Sequence, residues 1–114
     1  MANITTLRVY HAALAQLRDL AQRSDPIRFG DLANQLRRAA ISVVGNLAEG
    51  SSRGSDAEYA RFVAIARASN TEIAAHLAIL AALGGPDVTT ALAANASIGR
   101  QLSGLIRYLR GSGG

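Results

Sequence analysis

Two histidines, three glutamates and a scatter of serines are the side chains of this 114-residue sequence best suited to catalysis or metal binding. Glu72 and His76 lie four residues apart, the spacing of a helical surface pair that contributes about 0.2–0.5 kcal/mol. A di-iron site in a helical bundle needs four inward carboxylates and two Glu-x-x-His pairs. The chain has only Glu49, Glu58 and Glu72, and His11 has no carboxylate at that spacing. No metal or other cofactor is expected. Arg67 and His76 are separated by eight residues and Arg8 and His11 by two, neither of which matches the Arg–His spacing of helical ribonuclease motifs. Ser42 and Ser69 fall inside helical patterns, where hydroxyls commonly bond backbone carbonyls. A serine nucleophile would also need an adjacent base and orienting group. Gly50-Ser51-Ser52-Arg53-Gly54 lacks the spacing of a phosphate loop and reads as a helix stop and turn. The chain is not expected to be an enzyme.

What remains is charge. All twelve basic residues are arginine, against eight acids, for a net charge of +4. The planar guanidinium pairs well with phosphate, which points to nucleic acid. A GC-rich coding sequence, in keeping with the abundant Ala and Gly, produces the same arginine bias. The net charge permits binding to a polyanion without demonstrating it. No acid follows Asp87, whereas Arg100 and Arg107 stand one heptad apart with Arg110 nearby. These three are the first candidates for phosphate contact; Arg8, Arg18 and Arg53, off the core stripes, come next. A solvated helix face is the plainer reading of the stripe in a monomer, but an oligomer repeats it and multiplies its field. Of three tyrosines and two phenylalanines, Tyr10, Tyr59 and Phe62 belong to core stripes, leaving too few aromatics for a base-stacking platform. Any nucleic-acid contact is expected to be electrostatic and indifferent to sequence.

Four amphipathic segments must position these residues. Thr5 or Thr6 caps a first helix reaching about Ser24, with an apolar stripe of Leu7, Tyr10, Ala13, Leu14, Leu17, Leu20 and Ala21. Asp25-Pro26 breaks it, and Asp31 caps the second helix. There Leu32, Leu36, Ala39, Ala40, Val43 and Leu47 share one side. Gln35, Ser42 and Glu49 recur by heptads on another, beside Arg38, Gly45 and Asn46. Ile41, Val44 and Ala48 add apolar surface between the two, more than a solvated helix of an isolated bundle carries. This helix therefore reads as both core and interface, with Gln35, Arg38, Ile41, Ser42, Val44, Asn46 and Glu49 facing another subunit. Arg38 and Glu49, too far apart to pair with each other, are expected to find partners on another helix or subunit, together with Gln35 and Asn46. Gly50 reads as the left-handed stop.

The third helix opens on a capping box, Ser55-Asp56-Ala57-Glu58, and carries Tyr59, Phe62, Val63, Ala66, Ile73, Leu77 and Leu80 toward the core. Leu83-Gly84-Gly85-Pro86 ends it. Asp87 or Thr89 opens a fourth, with Leu92, Ile98, Leu102, Leu105, Ile106 and Leu109 as its stripe. The expected architecture is all-α: an antiparallel up-down-up-down four-helix bundle over residues 1–110, with a disordered Gly/Ser tail at 111–114. No apolar run reaches the length of a membrane span, and with no cysteine and no signal-like start a cytoplasmic protein is the default.

The run RRAAISVVGNLAEGSSRG followed by EYARFVAIARASNTEIAAHL resembles the signature of the four-helix bundle proteins named after the 23S rRNA intervening sequence. The match rests on Gln35 to Ala40, Ser42, Asn46, Ala48 to Gly50, Arg53, Phe62, Ile65, Ala66, Ser69 and Glu72. The first hairpin departs from it: the chain has no Trp, and Asp25-Pro26 stands where the family tends to place a Phe-Pro turn. The resemblance implies ring-like homopentamers. It also implies kinship with the accessory variability determinant of diversity-generating retroelements, a basic pentamer that binds nucleic acid and partners a reverse transcriptase. The expected function is thus a non-enzymatic oligomeric accessory protein, with nucleic acid and a reverse transcriptase as candidate partners. The alternative is a structural or protein-interaction module that binds no nucleic acid.

Overall fold

A computed structural model describes residues 7–23 and 29–112 as four helices: α1 (Arg8–Arg23), α2 (Gly30–Ser51), α3 (Asp56–Ala82) and α4 (Thr89–Ser112). Each helix packs on its sequence neighbours, and α4 closes back on α1; among the described residues the diagonal pairs do not meet backbone to backbone. The result is a four-cornered antiparallel bundle, 47 × 19 × 19 Å. The expected Thr5 or Thr6 cap, the Asp25-Pro26 break and Gly113-Gly114 lie outside the described residues. α4 runs through Gly111 to Ser112, two residues past the boundary expected from the Gly/Ser tail.

Local chemistry explains most of the helix ends. Ser55 is extended at the α3 N-cap, and its hydroxyl accepts the Glu58 amide at 3.1 Å. Glu58 does not complete the box; its carboxylate turns to Arg61 at 3.0 Å instead. At the other end, Gly84 is the one described residue with a left-handed backbone, φ 81°. Its amide bonds the Ala81 carbonyl at 3.1 Å while the Gly85 amide reaches back to Leu80 at 2.9 Å. That pairing satisfies two carbonyls left open at the helix end. Before α4, Asp87 Oδ1 accepts both the Thr89 amide at 2.9 Å and the Thr89 hydroxyl at 2.7 Å.

Two expected ends of α2 are corrected. Phe29, not Asp31, occupies the N-cap position and offers no side-chain cap. Asp31 sits inside the first turn, where its charge meets the positive end of the helix dipole. Gly50 is not a left-handed stop: it is helical and buried, and the helix continues to Ser51. A Cβ on Gly50 would stand 2.8 Å from Phe62 Cβ and 2.9 Å from the Tyr59 ring. The glycine is there to let α3 approach.

The core is rich in alanine, with Ala13, Ala39, Ala40, Ala60, Ala66 and Ala91 buried among Leu36, Val43, Leu47, Val63, Ile73, Leu77, Ile98 and Leu102. The expected stripes of α2 and α4 hold, and so does that of α3 except at Phe62, which is half-buried beneath Arg53 and Arg61 outside the core cluster. That of α1 is rotated: Val9, Ala13, Gln16 and Leu20 are buried, whereas Ala21 is exposed and Leu14 and Leu17 only half-buried. Gln16 faces inward because it meets Asn70 of α3 and Asn95 of α4, all three at most 6% exposed. Gln16 Nε2 donates to Asn70 Oδ1 at 3.2 Å, and Asn70 Nδ2 donates to the Asn95 carbonyl at 3.1 Å. Asn95 Nδ2 is shared among Gln16 Oε1 (2.9 Å), Asn70 Oδ1 and the Asn70 carbonyl (both 3.0 Å). Every amide is answered by another, so α1, α3 and α4 are rotationally locked in an otherwise undifferentiated core.

Two stability outcomes follow from these contacts. Gly50→Ala forces its Cβ into a neighbouring helix and should cost about 1–3 kcal/mol. Gly104→Ala, whose Cβ would meet nothing nearer than the Arg107 guanidinium at 3.8 Å, should stabilise by up to about 1 kcal/mol. Chemical denaturation of the two variants reads both signs. Asn95→Ala strands buried acceptors on Gln16 and Asn70, so it should lose about 2–3 kcal/mol, seen as a fall on the order of 10 °C in Tm.

Candidate nucleic-acid interface

α4 carries no acid, so its arginines have no counter-ion on their own helix, and the bundle brings up a further arginine beside them. The amide network fixes α3 against α4 so that Gly99 packs on Asn70; a Cβ at Gly99 would lie 3.5 Å from Asn70 Nδ2. One turn toward the N-terminus of α3, Arg67 meets Ser103 of α4, Nη1 to Oγ 3.5 Å. Arg67 and Thr71 on α3 with Arg100, Ser103 and Arg107 on α4 line an open groove of about 560 Å³ that no acid borders. Ser103, Arg107 and Arg110 follow at helical steps of four and three, so Arg110 carries the same side of α4 to its last turn. Among the described residues none of Arg67, Arg100, Arg107 and Arg110 makes an ion pair. Three guanidiniums in one groove repel each other, and an anion with several oxygens relieves that repulsion.

The other expected arginines fall elsewhere. Arg53 is engaged: its guanidinium lies 3.2 Å from Glu49 and 4.7 Å from the centre of the Phe62 ring. Arg61 covers the same ring at 4.6 Å and pairs with Glu58, holding that carboxyl below its ordinary pKa. Arg18 is exposed on α1 and borders neither groove. Arg8 shares a stripe with Ala12, Ala15 and Asp19, which border the cleft between α1 and α4. It therefore flanks α4 from the side opposite Arg67. The sequence signal for Arg67 is weak, since no other arginine shares its side of α3 and it gains its meaning only from the α3–α4 register.

A second, polar groove of about 460 Å³ lies between α2 and α3, lined by Gln35, Arg38, Ser42, Ser69 and Glu72. Ser42 and Ser69 share a hydrogen bond of 2.8 Å across it. Asn46 donates to the Ser42 carbonyl at 2.8 Å and its hydroxyl at 3.1 Å. Glu49 finds Arg53 just past the end of its own helix and Asn46 finds Ser42 within it, so within the bundle neither takes its partner from another helix. Arg38 makes no ion pair among the described residues. His76 Nε2 stands 3.4 Å from Glu72, with the imidazole largely buried rather than exposed. From Ser69, His76 is two turns away, about 10 Å along the axis, too far to take its proton. No cluster of three His, Asp or Glu suited to a metal occurs among the described residues. No described helix is long and apolar enough to cross a membrane.

No curated protein matches the chain. The profile of the 23S rRNA-intervening sequence proteins matches residues 6–103. That span takes in most of all four helices, both ends of the Gln35–Glu72 signature and nearly all of both grooves. The chain belongs to the 23S rRNA-intervening sequence protein family.

Proposed function

We propose that the protein is a non-enzymatic, self-associating accessory factor that binds nucleic acid through phosphate contacts in the α3–α4 groove. The observation that carries this reading is the convergence of Arg67, Arg100 and Arg107 in one groove without an acid. Each guanidinium presents a donor fork that matches a phosphate. The groove follows the helix axes, so successive phosphates of a strand can lie along it. Neutralising them releases counterions, which makes the affinity depend steeply on salt.

Self-association is supported by what the bundle leaves uncovered. On α2, Ile41, Gly45 and Ala48 follow at helical steps on the side away from the core, and Ile41 is 51% exposed. On α3, Ile65 and Ile79 are 40% and 46% exposed. Small residues beside a large apolar one let a second copy approach closely, and a patch of this kind on a helical bundle marks an interaction surface. Closure of such contacts into a ring would bring several arginine grooves onto one particle, as the family resemblance implies for a pentamer.

Two experiments test the parts separately. In a salt titration against random-sequence DNA and RNA, log affinity should fall linearly with log salt. Arg67→Gln/Arg100→Gln/Arg107→Gln should weaken binding to all sequences and reduce the slope by about 2–3. An unchanged slope would place the contact on another face. For assembly, light scattering of the unmodified protein should give a mass several times that of one chain. Ile41→Asp, which would bury an unpaired charge at the contact, should release smaller species. A wild-type monomer at micromolar concentration would defeat the self-association.

A further inference from the structure

Tyr108 is the one tyrosine or phenylalanine side chain that the fold leaves open to solvent. It is 70% exposed, the most open of the large apolar residues among those described. Tyr10 and Tyr59, by contrast, pack into or against the core. Tyr108 follows Arg107 directly on α4 and continues the stripe of Ala94 and Ser97 that borders the α1 side of the helix. One flank of the ring therefore carries the Arg100–Arg107 face and the other the side of α1 to which Arg8 belongs. Of its four helical neighbours, Leu105 and Ser112 carry side chains and the other two do not. Positions four before and three after, which on a helix normally cover a side chain, are Gly104 and Gly111.

Packing does not require either glycine. A Cβ on Gly111 would meet nothing within 4 Å, and one on Gly104 only the tip of Arg107 at 3.8 Å. Glycine within a helix is destabilising, yet here two of them clear the ground around one exposed ring. A flat π-surface with cations on both flanks is what a nucleobase and its neighbouring phosphates need.

We infer that Tyr108 is a single stacking contact, added to the purely electrostatic binding expected from the sequence, that gives the arginine face a preference for single-stranded over duplex nucleic acid. The inference rests on the phosphate-binding reading and narrows its ligand. In a duplex the bases are stacked on one another and cannot reach the ring. In a single strand one base lies on Tyr108 while adjacent phosphates meet Arg107 on one side and Arg8 on the other. Stacking of this kind tolerates any base, so it adds strand preference without sequence preference.

The test is fluorescence anisotropy with a labelled mixed-sequence oligonucleotide of about 15 residues, matched to the usual site size, offered alone and as its duplex. Wild type and Tyr108→Phe should bind the single strand more tightly than the duplex. Tyr108→Leu, which keeps bulk but loses the ring, should weaken single-strand binding about 5- to 100-fold. Its duplex binding and salt slope should stay as in wild type. Loss on both forms alike, or no loss on the single strand, overturns the stacking role while leaving the arginine groove standing. Failure of the wild type to bind either form overturns both. Melting curves of the Leu variant should match wild type, since the ring packs on nothing in the core.

Discussion

Everything on the α3–α4 face depends on three buried amides. A core built so largely of alanine brings helices close together but discriminates poorly between one rotation of a helix and the next, since small side chains fit many arrangements. Gln16, Asn70 and Asn95 remove that freedom. An amide left unanswered in the interior costs more than any of its bonds returns, so only the register in which all three meet is stable. That register joins α1, α3 and α4 at one level of the bundle. It also sets Arg67 opposite Ser103 a turn away, and the arginine groove follows from it.

The network is not legible in the sequence, for a physical reason. A single Gln or Asn on a helix reads as a solvent-facing residue unless its partners are known, and here they lie on helices far away in the chain. The same blindness produces the rotated stripe of α1, where Leu14 and Leu17 outweigh Val9 and Gln16. Gly50 misleads in a related way. Followed by Ser51 and Ser52 it has every local mark of a stop, and only the approach of Tyr59 and Phe62 shows that it is a packing glycine. Features governed by local chemistry are legible: the Ser55 cap, the Asp87 cap, the Gly84-Gly85 end of α3 and the core stripes of α2, α4 and, Phe62 apart, α3.

The candidate site is legible in half. Arg100, Arg107 and Arg110 stand out because heptad spacing on an acid-free helix is itself a pattern. Arg67 does not, since its role comes from tertiary register. Arg53 sits in a turn that looks free in the sequence, but the fold commits it to Glu49 and Phe62. The two halves meet in one picture. Arginines near acids are spent around the α2–α3 turn, while those of α4 and its neighbour Arg67 make no ion pair among the described residues.

Because the chain contains no cysteine, a single engineered thiol reports on one place at a time. The most direct measurement compares alkylation rates of Ser103→Cys, within the arginine groove, and Asn34→Cys, at an exposed position of α2, with and without saturating oligonucleotide. If the α3–α4 groove is the nucleic-acid face, the thiol at position 103 is protected by the oligonucleotide and that at 34 reacts at its free rate. Protection at 34 alone, or at neither position while the oligonucleotide is bound, would contradict the account.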